Sequence, residues 1–341
     1  MTEPIDFVIA WVDGSDSAWR RNFDRWKALY TPAAYVGSET ADPGTDTSEE
    51  RYRDYGMLRY WFRAAERFAP WVGNIYLLTW GHIPQWLDVS HPKLRVVRHE
   101  EFIPERYLPT FSSCPIELNM HRIGGLSEKF VYFNDDMFLC RPVAAERFFR
   151  NGLPCDAARL SVIRDEQVDH NKLECMRIIN MRHARRGAIA RNAGKWFNPR
   201  YTISDMIKTA TLLPWSFWPG FQEYHMPQPF LKSTFERMWR EQPDQLDSTC
   251  LHRFRTPNDV SQWLMRYEQL ASGTFHPTGM RDTLLCKLSD DNRAIAEAIT
   301  SGRYSMICIN DNNEIRDPQA AARTVRDAFD ALLPEKSAYE L

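Results

Sequence analysis

The chain has 341 residues, of which 43% are hydrophobic and 26% are charged, and its formal net charge is −2. This length allows one large domain or two small ones, with enough apolar residues for a sizeable core. Because nucleic-acid-binding proteins usually carry a strong basic excess, the near-neutral balance predicts no nucleic-acid partner.

Short runs of apolar, β-branched or aromatic residues predict buried strands along the chain. They cover residues 6–11, 74–79, 94–98, 130–133 and 305–309, and the run at 94–98 is the weakest. Helical patterns cover residues 49–68, 117–126, 229–240, 259–270 and 290–301. This alternation predicts an α/β fold with a mostly parallel, Rossmann-like sheet flanked by helices.

Two stretches interrupt this alternation. Residues 36–48 are rich in Gly, Ser, Thr and Asp and are predicted to form a loop, after which Thr47 and Glu50 have capping-box spacing for the helix at 49–68. A second stretch, residues 156–211, is polar, basic and helix-prone. The predicted organisation is one discontinuous catalytic α/β domain (1–155 and 216–316), a helical insertion or lid (156–215), and a C-terminal helix and tail (317–341).

The seven cysteines are scattered and form neither a C-x-x-C pair nor a Cys/His cluster. This pattern argues against a zinc site and a disulfide framework and is typical of a reducing compartment. The first residues, MTEPIDFVIAWVDG, lack a basic region and a long apolar run, and no stretch of about 18 apolar residues follows. We therefore expect a soluble protein without a secretory signal.

Acidic and amide residues follow three of the predicted strands, as Val12-Asp13-Gly14, Asn134-Asp135-Asp136 and Asn310-Asp311. Ligands of open α/β sheets bind outside the carboxyl ends of the strands, so these clusters are expected to converge on one crevice. Carboxylate and amide oxygens suit Mg²⁺ or Mn²⁺ held against substrate phosphates. The alternative is that these residues simply form turns.

Arginines are a second requirement of a phosphate site, because a metal ion alone does not neutralise a diphosphate. A planar guanidinium binds phosphate through two hydrogen bonds. For any one arginine, a surface ion pair is the more common explanation. The candidates are Arg59, Arg63, Arg122, Arg253 and Arg255.

Two histidines are candidates for proton transfer. His225 lies in a proline-containing loop, and His121 follows Glu117 by four residues on a predicted helix, where the two side chains would form an acid–base pair. A lone loop histidine is more often structural. No Walker loop, G-x-G-x-x-G, H-E-x-x-H or G-x-S-x-G motif occurs. The residues alone therefore indicate a metal-assisted α/β enzyme acting on a phosphorylated ligand.

Four separated blocks carry a further signal. They are IDFVIAWVDGSD (5–16), the long block 51–139, the block that begins with HMPQP (225–229) and continues to Arg255, and CINDN (308–312). In this order they resemble the Stealth family, which includes bacterial capsular polysaccharide phosphotransferases and the vertebrate lysosomal-enzyme N-acetylglucosamine-1-phosphotransferase. Ala10, Tyr55, Met57 and Trp80 depart from the usual family pattern, which leaves donor-sugar specificity open.

The resemblance implies a fold of the nucleotide-sugar transferase type and sugar-1-phosphate transfer in capsular or surface polysaccharide synthesis. The donor would be a nucleoside diphosphate sugar, with a UDP-N-acetylhexosamine favoured, and the acceptor a glycan hydroxyl. Release of the nucleoside monophosphate distinguishes this reaction from its alternative, a metal-dependent glycosyltransferase that releases the diphosphate. A non-catalytic polysaccharide-binding subunit is a third interpretation. A bacterial cytoplasmic location is expected, and loose attachment to capsule machinery at the inner membrane stays open.

The resemblance and the placement after strands together give each candidate residue a role. Mg²⁺ or Mn²⁺ is assigned to Asp135, Asp136 and Asp311. His225 is the expected base with His121 as second choice, and Asp13, Asp136 and Arg255 are further catalytic candidates. The donor is assigned to Trp11, Gly14, Arg59, Arg63, Glu117, Arg122, Asn134 and Arg253.

Overall fold

A computed structural model of the chain describes residues 3–30, 52–163, 170–312 and 314–341. The loop predicted at 36–48 and the capping box of Thr47 and Glu50 lie outside the described residues. The strands are β1 (Ile5–Ala10), β2 (Ile75–Thr79), β3 (Leu94–Arg98), β4 (Lys129–Phe133), β5 (Met137–Leu139), β6 (Phe149–Arg150), β7 (Leu153–Asp156), β8 (Gln228–Leu231), β9 (His276–Pro277), β10 (Thr283–Lys287) and β11 (Met306–Asn310).

Helices connect these strands and cover both faces of the main sheet. They are α1 (Ser17–Tyr30), α2 (Leu58–Phe68), α3 (His99–Phe102), α4 (Ser113–Asn119), α5 (His170–Arg182), α6 (Arg185–Arg191), α7 (Ala193–Trp196), α8 (Ile203–Thr211), α9 (Lys232–Glu241), α10 (Pro243–Leu251), α11 (Trp263–Ser272), α12 (Arg293–Thr300) and α13 (Pro318–Leu332). Short 3₁₀ turns occur at Glu105–Tyr107, Met120–Arg122 and Ala145–Arg147.

The main sheet has five strands in the order β3-β2-β1-β4-β8. Every neighbouring pair is parallel except β4 and β8. β1 lies at the centre, and its Val8 is in register with Tyr76 of β2 and Tyr132 of β4. The predicted α/β class, with a mostly parallel sheet flanked by helices, is confirmed.

The main sheet separates two hydrophobic cores, because successive side chains of a strand point to opposite faces. Phe7 and Ile9 of β1 belong to the core formed with α2, α12 and α13. Val8, between them, belongs to the core formed with α5 and α9–α11. All three side chains are fully buried, which explains why β1 reads as a continuous apolar run.

The strand predicted at 305–309 is β11, but it lies outside the main sheet. It forms a second sheet in the order β10-β11-β5, parallel to β10 and antiparallel to β5. β5 follows β4 after three residues, so the second sheet begins where β4 ends. β6, β7 and β9 form a third, small sheet.

The helix predicted at 49–68 begins only at Leu58 in the described part of the chain. Before it, the Gly56 N–H donates to the Asp54 carboxylate at 2.8 Å, and Gly56 has a φ of 69°. This side-chain-closed turn competes with helix formation, and its left-handed residue is one that glycine adopts without cost. The prediction of helix across residues 53–57 is therefore wrong.

The four other predicted helices also have different bounds, and those at 259–270 and 290–301 run from Trp263 to Ser272 and from Arg293 to Thr300. The segment 229–240 starts as strand β8, which pairs antiparallel with β4, and becomes helical at Lys232. The helix predicted at 117–126 begins earlier, at Ser113, where the Ser112 hydroxyl accepts from the Cys114 N–H, and it ends in a 3₁₀ turn. A side-chain oxygen at the N-cap fixes that beginning.

The predicted insertion contains helices α5–α8, as its helix-prone sequence suggested. Its buried side chains, such as Cys175, Ile179 and Trp196, belong to the same core as α9–α11. These helices are therefore packed against the body of the molecule. The division of the chain into domains stays a prediction.

Candidate functional site

A cleft of about 670 Å³ opens at the carboxyl ends of β1 and β4 and beside the end of β11. Its volume is in the range of ordinary small-molecule sites. Trp11 after β1, Asn134 to Asp136 after β4, and Asn310 and Asp311 at the end of β11 all line it. The clusters after β4 and β11 therefore come together in one crevice, although β11 reaches it from the second sheet, and the cluster after β1 reaches it only through Val12.

The β4–β5 connection holds the two central aspartates. The Met137 N–H donates to the Asn134 carbonyl at 3.2 Å, and the Ile309 N–H donates to the Asp136 carbonyl at 2.9 Å. The first bond closes the turn, and the second ties it to β11. Backbone hydrogen bonds thus hold Asp135 and Asp136 at the bottom of the cleft. Neither bond uses a side-chain carboxylate, so both carboxylates can interact with a ligand.

These carboxylates repel one another. Burial, followed by the charges of Asp136 and Asp54, raises the pKa of Asp135 well above its usual range. The pKa of Asp54 is raised as well, chiefly by burial and also by Asp13. Among the described residues, no Lys or Arg forms an ion pair with Asp135 or Asp136. The buried Oδ1 atom of Asp136 has no hydrogen-bond partner there either. The cleft floor therefore lacks positive charge.

His225 lies beside this floor in a strained conformation. Its φ is 49°, in the left-handed region that non-glycine residues rarely adopt and that clusters at functional sites. Its Nε2 is 3.7 Å from Asp136 Oδ2. Burial lowers the pKa of His225, but the interaction with Asp136 and the charge of Glu223 outweigh it, so the pKa is raised. The geometry gives Asp136 the means to orient a basic imidazole.

Glu117 forms the wall of the cleft above Tyr132. It is buried, and the Gln262 N–H donates to its Oε2 at 3.3 Å. Burial raises its pKa, while Arg255 opposes that shift. Arg255 itself donates to the Ser113 hydroxyl at 2.8 Å. Glu117 and Arg255, which the sequence analysis names as site residues, therefore lie in the same wall and interact electrostatically.

Two further cations line the cleft beside acids. Arg53 donates to Asp311 Oδ2 at 2.9 Å, and the Tyr55 hydroxyl donates to Asp311 Oδ1 at 2.5 Å. Lys172 of α5 pairs with Glu223 at 2.5 Å. Asp311 therefore has its charge matched within the protein, in contrast to Asp135 and Asp136.

The described residues contain one cluster of possible metal-ligating side chains, formed by Asp136, His225 and Cys308, whose ligand atoms all lie within 4.8 Å of one another. It differs from the predicted set of Asp135, Asp136 and Asp311. The Cys308 thiol donates to Asn310 Oδ1, and burial together with Asp136 raises its pKa well above normal. Mg²⁺ and Mn²⁺ prefer oxygen ligands to sulfur, so the oxygen donors of the aspartates are better suited to hold such a cation.

Arg63 does not reach the cleft, which corrects its assignment to phosphate. Its guanidinium forms two hydrogen bonds with Glu340, at 2.7 and 2.8 Å, and a third with the Leu333 carbonyl. The side chain is buried, and it ties α2 to the C-terminal segment. The two-bond geometry by which a guanidinium binds phosphate is used here to bind the Glu340 carboxylate.

The other arginines assigned to the donor also lie outside the described lining of the cleft. Arg59 stacks over Trp86, and Arg122 stacks over Trp239 while donating to Asn119. Arg253 donates to the Arg106 carbonyl and lies over Trp26. Each is engaged with an aromatic ring, an interaction that sequence spacing does not reveal.

His121, the second choice of base, is buried against Phe235 and Trp239 and does not line the described cleft. Burial lowers its pKa to about 3, so it stays neutral. Its proposed pairing with Glu117 does not occur, because Glu117 instead faces Gln262 and Arg255. The structure therefore favours His225.

Asp13 and Gly14 stand just beyond the cleft lining. The Asp13 side chain accepts two hydrogen bonds from Ser15, and its backbone N–H donates to His82 Nε2 at 2.9 Å. A Cβ on Gly14 would lie 2.4 Å from the Tyr52 carbonyl oxygen, so only glycine allows this approach. Both residues shape the β1 end of the site, and neither contacts the cleft described here.

Several cleft residues received no role from the sequence. Arg53 and Asp54 lie within the second block of the resemblance, which was a usable signal. Lys172 and Glu223 belong to no motif. They form an ion pair with each other that joins α5 to the loop of His225 at the cleft. Within the described ranges, no helix is both long and apolar enough to cross a membrane.

Comparisons with known proteins agree with the first three of the four blocks identified in the sequence. Models of Stealth conserved regions 1, 2 and 3 match residues 3–31, 51–156 and 224–267. A receptor polysaccharide phosphotransferase of Streptococcus gordonii, WefC, is 40% identical over 100% of both chains. The capsular polysaccharide phosphotransferase WcwK of Streptococcus pneumoniae is 38% identical over 99% of this chain and 98% of its own.

A third relative, the exopolysaccharide phosphotransferase cps2G of Lactiplantibacillus plantarum, is 38% identical over 98% of this chain and 96% of its own. Among solved structures, the galactosyltransferase LgtC, crystallised with donor and acceptor sugar analogues, covers 98% of each chain at 10% identity, with a TM-score of 0.34. That likeness is too weak to carry an argument. The sequence relatives and the three matching regions are sufficient: the chain belongs to the Stealth protein family.

Proposed function

We propose that this protein transfers a hexose or N-acetylhexosamine 1-phosphate from a nucleoside diphosphate sugar to a glycan hydroxyl and releases a nucleoside monophosphate. The observation that carries the proposal is the pair of uncompensated aspartates, Asp135 and Asp136, in a cleft whose walls hold Arg53, Lys172 and Arg255. A diphosphate bound with a divalent cation matches both sets of charges.

The relatives support the reaction class and the acceptor. Their names describe phosphotransferases of capsular, receptor and extracellular polysaccharides, and they align with almost the whole chain. The donor we favour is a UDP-N-acetylhexosamine. The expected cytoplasmic location stays a prediction.

The cleft floor fits a divalent cation such as Mg²⁺ or Mn²⁺. Asp136 has a buried oxygen without a partner, and Asp135 is held against two other carboxylates, so both would be stabilised by a cation. Asp311, already bonded to Arg53 and Tyr55, would support the site from its edge. When bound, the cation would polarise the diphosphate and offset the charge that develops on the departing phosphate.

His225 is our candidate for the general base. The acceptor hydroxyl attacks the sugar-bearing phosphorus, and its proton passes to the imidazole, which Asp136 orients at 3.7 Å. The raised pKa makes His225 a stronger base, although it lowers the neutral fraction at a given pH. The phosphorus–oxygen bond of the diphosphate bridge then breaks, and the nucleoside monophosphate leaves.

Arg255, Arg53 and Lys172 are proposed to contact the phosphates. Arg255 shares a wall with Glu117, while Arg53 and Lys172 stand at acids that a bound phosphate would compete with. Trp11, with a buried indole N–H, and Glu117, with its backbone-anchored carboxyl, are proposed to bind the nucleotide or sugar hydroxyls. Asn134 completes the donor side of the floor.

A product assay tests this function. The purified protein is incubated with UDP-, GDP- and CDP-sugars, Mg²⁺ or Mn²⁺, and oligosaccharide acceptors, and the nucleotides released are separated. We expect acceptor-dependent formation of a nucleoside monophosphate together with a phosphodiester-linked glycan. Release of the nucleoside diphosphate with a glycosidic product would instead identify a glycosyltransferase. Failure of the whole panel to bind or react would favour a non-catalytic role.

A further inference from the structure

The helical segment between residues 170 and 217 differs in charge from the rest of the chain. It contains nine Lys or Arg residues and two Asp or Glu residues, an excess of seven positive charges. Because the whole chain has a net charge of −2, the remainder carries an excess of nine negative charges. Arg186 and Lys208 are exposed and form no ion pair with any described residue.

The same segment exposes large apolar side chains. Ile203 and Ile207, one turn apart on α8, are 72% and 57% exposed. Trp215 and Phe217, just after α8, are 51% and 47% exposed, and their rings are in contact at 5.5 Å. Six of the thirteen large apolar side chains that are exposed in the described residues lie between 170 and 217. Ile203 and Ile207 on α8 and the contacting rings of Trp215 and Phe217 just after it are the part of this set that suits an interaction surface.

A buried arginine fixes the shape of this surface. Arg185 is 1% exposed and donates to the Leu213 carbonyl at 2.6 Å, and also to the carbonyls of Leu212 and Trp215. These bonds bind the turn after α8 to α6, with the neighbouring Arg186 within reach of the Pro214 carbonyl. These hydrogen bonds hold the turn that carries Trp215, and the Trp215 side chain is exposed to solvent.

We propose that Ile203, Ile207, Trp215 and Phe217, with Arg186 and Lys208, form a docking surface for an anionic lipid bilayer. Apolar and aromatic side chains enter the headgroup region, where tryptophan is favoured, while the flanking cations bind the negatively charged headgroups. Of the cations in this segment, the exposed Arg186 and Lys208 would then face the membrane, whereas Lys172, Arg177 and Arg182 are paired with acids of the chain. This attachment does not depend on the reaction proposed for the cleft.

A second copy of the chain is the weaker candidate for this surface. Symmetric pairing through the same patch would bring the unpaired cations of both copies together. An anionic membrane satisfies the apolar and the charged parts at once. The charge distribution therefore selects the lipid surface as partner.

Vesicle flotation of the full chain tests the proposal. The probe vesicles contain phosphatidylcholine and phosphatidylglycerol in equal amounts, and phosphatidylcholine alone is the comparison. We expect the protein to float with the anionic vesicles, less at high salt and least with the neutral vesicles. The variant Ile207→Ser/Trp215→Ser/Phe217→Ser should lower the bound fraction at least about tenfold. In Arg186→Glu and Lys208→Glu, binding should fall about fivefold for each cation removed.

Leu29→Ser/Val89→Ser is the matched control, because both residues are similarly exposed but lie elsewhere, at 61% and 52%. It should float like the wild type, and all variants should keep the wild-type urea midpoint and product release in solution. Should the triple variant fail to fold, Trp215→Ser alone provides the test with a severalfold loss. Absence of wild-type flotation, or unchanged flotation of the variants, would overturn the proposal. A dimer that the same substitutions dissociate, without flotation, would also overturn it.

Discussion

Asp156 at the end of β7 is fully buried and Asp136 at the bottom of the cleft is 26% exposed, and the protein compensates their charges differently. Asp156 accepts two hydrogen bonds from the buried Arg266, at 2.7 and 2.9 Å, and others from Gln228 and the Ala157 N–H. Asp136 has His225 at 3.7 Å and an oxygen without a partner. Removing one partner of a buried ion pair destabilises a fold, whereas a carboxylate with an unpartnered oxygen in a cleft is a candidate for binding a ligand.

The same contrast divides the arginines. The guanidinium groups of Arg63 and Arg266 form hydrogen bonds with carboxylates of the chain, whereas Arg255 lies in the cleft wall near Glu117. Sequence spacing treats these arginines alike. Their partners, which lie 277, 110 and 138 positions away along the chain, separate structural from functional charge.

Asp136→Asn should produce the largest effect on activity. Loss of the charge at the cation and diphosphate position is expected to lower kcat about 10³-fold, as for removal of a major electrostatic contact. Stability should not fall, because the substitution removes a repulsion with Asp135. Product release at saturating donor, together with urea unfolding, measures both. Wild-type activity in this variant would contradict the assignment.

Asp156→Asn should give the opposite result. It leaves Arg266 buried without its charge partner, which is expected to cost about 3–5 kcal/mol of folding free energy. Urea denaturation measures the loss, and the double variant Asp156→Leu/Arg266→Met should recover part of it. If Asp156→Asn were as stable as the wild type while activity fell, the carboxylate would be functional and the comparison would be wrong.

His225→Ala tests the proposed general base, which lies 3.7 Å from Asp136. We expect kcat to fall about 10²-fold or more, the usual contribution of a positioned general base. Added imidazole should restore part of the rate, which a purely structural role would not allow. His121→Gln is the matched control, because His121 is buried outside the described cleft and should keep most of the wild-type kcat. Equal losses in the two variants would remove the distinction.

Arg255→Met and Arg63→Met form the last pair. Arg255→Met is expected to lower kcat/KM by about 10²-fold through lost phosphate neutralisation, the lower end for such contacts. Arg63→Met should leave kcat/KM near the wild type but lower the urea midpoint, because Glu340 loses its buried partner. A reversed pattern would return Arg63 to the active site.

Strand positions and the acidic strand ends were predictable because they depend on local patterns. The strand expected at 94–98 has those bounds in the structure, and the apolar run of β1 matches its burial on both faces. The Asp135-Asp136 turn after β4 was found in the same way. Local hydrophobic pattern and turn chemistry therefore predicted the framework and the floor of the cleft.

Long-range pairings could not be predicted from those patterns. The sequence predicts helix where β8 lies, because only the antiparallel contact with β4 makes this segment a strand. Arg63 was assigned to phosphate because Glu340 lies 277 residues away. Lys172 was missed because its partner Glu223 belongs to a different segment. These contacts arise only when the chain is folded, and no spacing rule contains them.

The most direct test of the proposed reaction is to follow the β-phosphate of the donor. A nucleoside diphosphate sugar carrying a radioactive label on that phosphorus is incubated with acceptor and Mg²⁺, and glycan is separated from nucleotide. Attack at phosphorus predicts that the label enters the glycan while an unlabelled nucleoside monophosphate is released. Recovery of the label in a nucleoside diphosphate would show attack at the sugar carbon and contradict sugar-1-phosphate transfer.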